Sequence, residues 1–153
     1  MLPVRPVPEL TAHLGFWLRM VSNHVSQAFA TKLAGREVTV AEWCFLRALY
    51  GKAPTPPSRL AEEMGMTRGA ITKLADRLIA KSLVTRKASD DDGRAQTLAL
   101  TERGTAIVPD LAALADRNDA EFFDCLAPDE RETLERLLKS LAQRSQMTAI
   151  PVK

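Results

Sequence analysis

Apolar residues recur at three- and four-residue steps through Leu10, Leu14, Trp17, Leu18, Val21, Val25 and Phe29, the spacing of one helix face. The pattern predicts a first helix over 10–34, with a stripe wide enough to pack on more than one partner. Gly35 follows in the place of a C-cap glycine. Thr39 and Glu42 make a T-x-x-E capping box ahead of Trp43, Phe45, Leu46 and Leu49, which predicts a second helix over 40–50. The stretch 51–57 holds three prolines and reads as a loop. Thr55 or Ser58 offers the next N-cap, and Pro56 favours Thr55.

The segment 57–78 carries the most information. Leu60, Ala61 and Met64 face inward on a short helix, and Gly65 breaks it where a turn needs left-handed backbone. Thr67 then caps a second helix whose inward face is Ile71, Leu74, Ala75 and Leu78. Two short helices joined this way are a helix-turn-helix. After Lys81 the period changes. The runs 83–87 and 96–100 are strand-like, and ASDDDGRA at 88–95 is turn-forming, so a β-hairpin lies directly behind the helix-turn-helix. Thr101 caps a fifth helix that runs through Ile107, Leu111, Leu114, Phe122 and Phe123 to about Cys125, with a kink expected at Pro109. Pro128 opens a last helix with Leu134, Leu137, Leu138 and Leu141 on one stripe.

Composition adds limits. Of 153 residues, 46% are hydrophobic and 26% charged, ordinary for a globular domain. No apolar run is long enough to span a membrane, and the proline-bearing arm at 1–9 lacks the apolar core of a signal peptide, so a cytoplasmic location is expected. Cys44 and Cys125 give neither a metal spacing nor a disulfide framework, and no cofactor is implied. No nucleophile–base pair, metal motif or phosphate loop is visible, which argues against an enzyme. The net charge of +2 is uninformative, but its distribution is not. Residues 66–94 hold seven Lys/Arg against four Asp/Glu, whereas 102–153 hold seven against ten. A basic centre and an acidic C-terminal third suit a central nucleic-acid surface.

The layout, together with LIAKSLVTR at 78–86, DGR at 92–94 and LALTERG at 98–104, resembles the MarR family of bacterial regulators over about residues 10–144. The resemblance implies a mainly α, winged helix-turn-helix fold with a small β-hairpin wing, flanked by N- and C-terminal dimerisation helices. On it, 1–9 are a flexible arm, 10–35 and 102–145 the helical dimerisation region, 36–101 the DNA-binding region and 146–153 a tail. Two positions depart from the family pattern. Ser82 stands where Gly is common, so the helix exit needs a costlier backbone or a different cap. Ala95 stands where a second wing arginine is frequent, which supports the alternative of an interaction protein with weak or lost DNA binding.

A helix-turn-helix places the N-terminal residues of its second helix at base edges in the major groove. Here those are Thr67, Arg68, Gly69, Thr72 and Lys73, with Arg68 suited to a bidentate contact with guanine. Arg86, Lys87 and Arg94 lie in the hairpin. The resemblance puts Arg94 in the minor groove, with Asp92 orienting it. A homodimer on double-stranded DNA, with an inverted-repeat operator and a repressor role, follows from the same resemblance. So does a small aromatic or phenolic effector between the two regions, for which Trp17, His24 and Trp43 are the candidate contacts.

Overall fold

The computed structural model describes residues 1–88 and 95–153. In chain order these form α1 (Leu14–Ala34), α2 (Val40–Leu49), α3 (Pro57–Met64), α4 (Arg68–Ala80), β1 (Val84–Ala88), β2 (Gln96–Leu100), α5 (Glu102–Phe123) and α6 (Pro128–Arg144). The mainly α class with one hairpin is therefore as the sequence implies.

The first helix is shorter than its apolar periodicity predicts. Leu10–Ala12 form a single 3-10 turn, and His13 is extended (φ −100°, ψ 127°) before α1 begins. The Trp17 indole donates to the Thr11 carbonyl at 2.9 Å, which holds the turn against the helix start. Gly35 does cap α1, but with right-handed backbone (φ −62°). The left-handed residue is Glu37 (φ 59°), because the chain takes one more turn before the Val38 N–H returns to the Leu33 carbonyl at 3.2 Å.

The capping box of α2 is present in both directions: Glu42 N–H donates to Thr39 Oγ1 (3.1 Å) and Thr39 N–H to Glu42 Oε1 (3.0 Å). The expectation that Thr55 or Ser58 caps α3 is wrong. Pro56 is the N-cap and Pro57 the first helical residue. Thr55 is instead a bridge residue: its N–H donates to Leu98 O (2.9 Å) and its carbonyl accepts from Leu98 N–H (2.8 Å). Both backbone groups are committed to the sheet, so the helix starts after it.

β1 and β2 pair antiparallel, with Val84 opposite Leu100, Arg86 opposite Leu98 and Ala88 opposite Gln96. The core lies between α2, α3, α4, the hairpin base and the first half of α5. Phe45, Leu46, Leu60, Met64, Ile71, Leu78, Leu98 and Leu111 are fully buried there, with Leu33 from α1. Each such burial is worth roughly 1.5–3 kcal/mol relative to exposure. α5 runs unbroken through Pro109. Its first turn sits so close to the hairpin base that a Cβ on Gly104 would overlap the Leu83 carbonyl oxygen. Further along, α5 is tied to α1. Buried Asn118 accepts from Lys32 Nζ (3.0 Å) and donates to the Val25 carbonyl (3.1 Å), and Lys32 also pairs with Glu121 (2.8 Å).

Candidate nucleic-acid interface

The turn between α3 and α4 fixes how α4 is presented. Gly65 closes α3 in left-handed backbone (φ 64°, ψ 34°). Thr67 opens α4, and its hydroxyl accepts the Ala70 N–H at 3.1 Å. Ile71, Leu74, Ala75 and Leu78 are buried, so the opposite face is left to solvent. That face carries Thr67, Arg68, Gly69, Thr72 and Lys73, all exposed. Among the described residues no atom outside the helix comes within 4 Å of the site of a Gly69 Cβ, so backbone is open to contact there. The Thr72 hydroxyl donates back to the Arg68 carbonyl at 3.0 Å, which leaves its lone pairs facing outward. Among the described residues no carboxylate pairs with Arg68 or Lys73. The N-terminal half of α4 is thus an exposed, uncompensated cationic surface with the positive end of a helix dipole behind it.

The far end of α4 is held by groups whose pairing no local pattern signals. Glu42, 1% exposed, receives Lys81 Nζ on Oε2 (2.9 Å) and Oε1 (3.2 Å), and Arg77 lies 3.6 Å away. Arg77 also donates to Thr39 Oγ1 (3.3 Å), and Lys81 to the Glu37 carbonyl (2.6 Å). Burial pushes the Glu42 carboxyl up, but hydrogen bonds from Lys81 and Thr39, with the Lys81 charge, outweigh it and hold the group below its ordinary range. The N-terminus of α2 therefore clamps the C-terminal turn of α4 through a buried carboxylate.

The hairpin residues divide. Lys87 is exposed on β1. Arg86 is exposed too, but its Nη2 donates to Asp76 Oδ1 of α4 at 2.9 Å, so it braces the wing against the helix. Asp92 and Arg94 lie outside the described residues. Ser82 takes left-handed backbone (φ 62°), as its replacement of a glycine implies. Its carbonyl accepts the Thr101 hydroxyl at 2.7 Å, joining the exit of α4 to the start of α5.

The three aromatic candidates do not converge. Trp43 lines a cavity of about 280 Å³ between α1, α2 and the C-terminal residues, with Ser26, Phe29, Cys44, Ile150 and Pro151. His24 stacks against Phe122 (5.4 Å between rings) and lines a separate space of about 240 Å³ beside Asn118. Trp17 borders neither; it is 47% exposed and packs edge-on against Phe16.

The family model described as MarR family matches residues 37–95. The chain is 30% identical over 129 residues to the multiple antibiotic resistance protein MarR of Escherichia coli, covering 84% of this chain and 90% of that protein. A cysteine-to-serine mutant of the same protein, crystallised with operator DNA, superposes with a TM-score of 0.73 at 29% identity, over 84% of this chain and 92% of the other. The crystal structure of a “probable transcriptional regulator” from Pseudomonas aeruginosa gives 0.75 at 29% identity, over 87% and 99%.

Proposed function

The chain belongs to the MarR family of winged-helix transcription regulators, and we propose that it is a cytoplasmic repressor that grips an inverted-repeat operator as a homodimer. Members of this family are regulators rather than enzymes. One observation carries the reading: Arg68 and Lys73 stand exposed on the N-terminal half of α4, beside a hairpin bearing Lys87, with no carboxylate paired to either among the described residues. That the related Escherichia coli protein was crystallised with operator DNA supports DNA as the partner. Arg68 reads a guanine edge. Thr67, Thr72 and Lys73 hold phosphate or base edges, with Gly69 giving room for close approach. In the wing, Lys87 faces the phosphate backbone, Arg86 braces the strand against α4 through Asp76, and Arg94, oriented by Asp92, enters the minor groove.

Dimerisation is supported by surface that one chain leaves open. Leu14, Trp17, Leu18 and Val21 of α1 and Leu137, Leu138 and Leu141 of α6 are all exposed apolar residues. A second copy that covers them also brings a second α4 to the next half-site. The Trp43 cavity, bounded by Phe29 and approached by Lys153, fits a small aromatic acid or phenolate as the releasing effector.

Selection of bound duplexes from a random pool tests the reading. An inverted repeat with half-sites about one helical turn apart is expected. Arg68→Ala should relax the base choice at one position per half-site by about 1–3 kcal/mol. Recovery of no repeat, with binding indifferent to Arg68→Ala, would overturn it.

A further inference from the structure

α6 has no buried residue, yet the chain beyond it packs against the winged-helix half. The helix does not fray into the tail. Gln146 takes left-handed backbone (φ 52°), and the Met147 N–H returns to the Ala142 carbonyl at 2.9 Å, a closed helix end that turns the chain back. Three contacts then seat the tail. The Ile150 N–H donates to the Met64 carbonyl at 3.2 Å, one of the α3 carbonyls that a helix end leaves without an intrahelical partner. The Ile150 side chain packs against the buried core. Ala149 lies directly on the turn of the helix-turn-helix: a Cβ on Gly65 would stand 2.7 Å from Ala149 Cα. Gly65 is therefore required twice, for its positive φ and for the tail that covers it. Alongside, Ile150, Pro151 and Lys153 wall the Trp43 cavity, and Cys44 Sγ approaches the Pro151 carbonyl at 3.9 Å.

We propose that residues 147–153 are a latch that joins α6 to the turn of the helix-turn-helix and closes the Trp43 cavity. α6 offers its apolar stripe to a second chain, so the latch makes the pose of α4 answer to the dimer helices. It also makes that pose answer to whatever fills the cavity, because an occupant meets Ile150 and Pro151. Its effect on operator affinity rests on the DNA-binding reading; its seat does not.

The test uses the full chain with exposed Cys125 replaced by serine, so that Cys44 is the remaining thiol. Cys44 is half-buried, and burial pushes its thiol pKa up, so labelling by a thiol reagent is slow while the tail is seated. Ile150→Asp and a chain ending at Gln146 should speed labelling about tenfold, and Ile150→Leu should not. The same two variants should bind operator about fivefold more weakly at fixed salt, with dimerisation and helix content unchanged. Equal labelling rates in all chains would overturn the seat. Faster labelling with unchanged affinity would overturn the latch. Loss of operator binding in the unaltered chain as well would overturn the DNA reading instead, and labelling would still decide the seat.

Discussion

Ser82 sits in backbone that an L-residue adopts at a cost of about 1–2 kcal/mol, held there by the Leu83 N–H returning to Leu78 O and by the Thr101 hydroxyl on its own carbonyl. Ser82→Gly should stabilise the fold by about 0.5–1 kcal/mol after the greater freedom of the unfolded glycine is allowed for, read as a rise in Tm. Glu42 is the opposite case, a side chain the fold depends on. Its carboxyl is held below the ordinary value of 4.5, so the stability it gives is present above that value and is lost as pH falls through its folded-state pKa. Glu42→Gln should cost about 1–3 kcal/mol at neutral pH, and the gap in Tm from the unaltered chain should narrow as the pH drops below 4.5. The capping box made half of this residue's role legible, because its partner is three positions away. Lys81, 39 positions on, leaves no local trace. The Arg86–Asp76 brace escaped notice for a different reason: charge alone does not say whether a cation faces a phosphate or a neighbouring carboxylate.

Hydrophobic period located the six α-helices and both strands: α2 to α5 and the hairpin bury a face against one core, and α6 carries the same period on a stripe that the single chain leaves exposed. The misplacements differ in cause. His13 breaks the predicted first helix through local contacts, the 3-10 turn held by the Trp17 indole on the Thr11 carbonyl, whereas Thr55 leaves its expected cap because Leu98, distant in sequence, takes both of its backbone groups. Gly104 was legible as part of LTERG, but the reason for glycine there is tertiary: α5 must rest on the Leu83 carbonyl. Gly104→Ala should force the wing base and α5 apart and destabilise the protein by about 2–4 kcal/mol in denaturant melts, whereas Gly69→Ala, open on every side, should raise stability slightly and weaken operator binding.

In the whole molecule, the stripes of α1 and α6 were legible as more apolar surface than one small domain covers, and Leu14, Trp17, Leu18, Val21, Leu137, Leu138 and Leu141 stand exposed in the single chain. The tail's seat on the helix-turn-helix was not legible, because 146–153 carries no periodicity to betray it. Leu18→Asp with Leu138→Asp should yield a monomer in sedimentation while sparing the winged-helix core, since both side chains are about half exposed in the single chain. That monomer should lose most operator affinity, one half-site being too small a grip.

If the exposed face of α4 neutralises phosphate and reads bases, operator affinity falls steeply as salt rises. The selected operator should be bound with a log–log slope steeper than about −5; Lys73→Ala should make it shallower by about 1 per chain and weaken all sequences alike, while Arg68→Ala should lower affinity for the operator more than for unrelated DNA. A slope near zero, unchanged by either substitution, would rule out this role for α4.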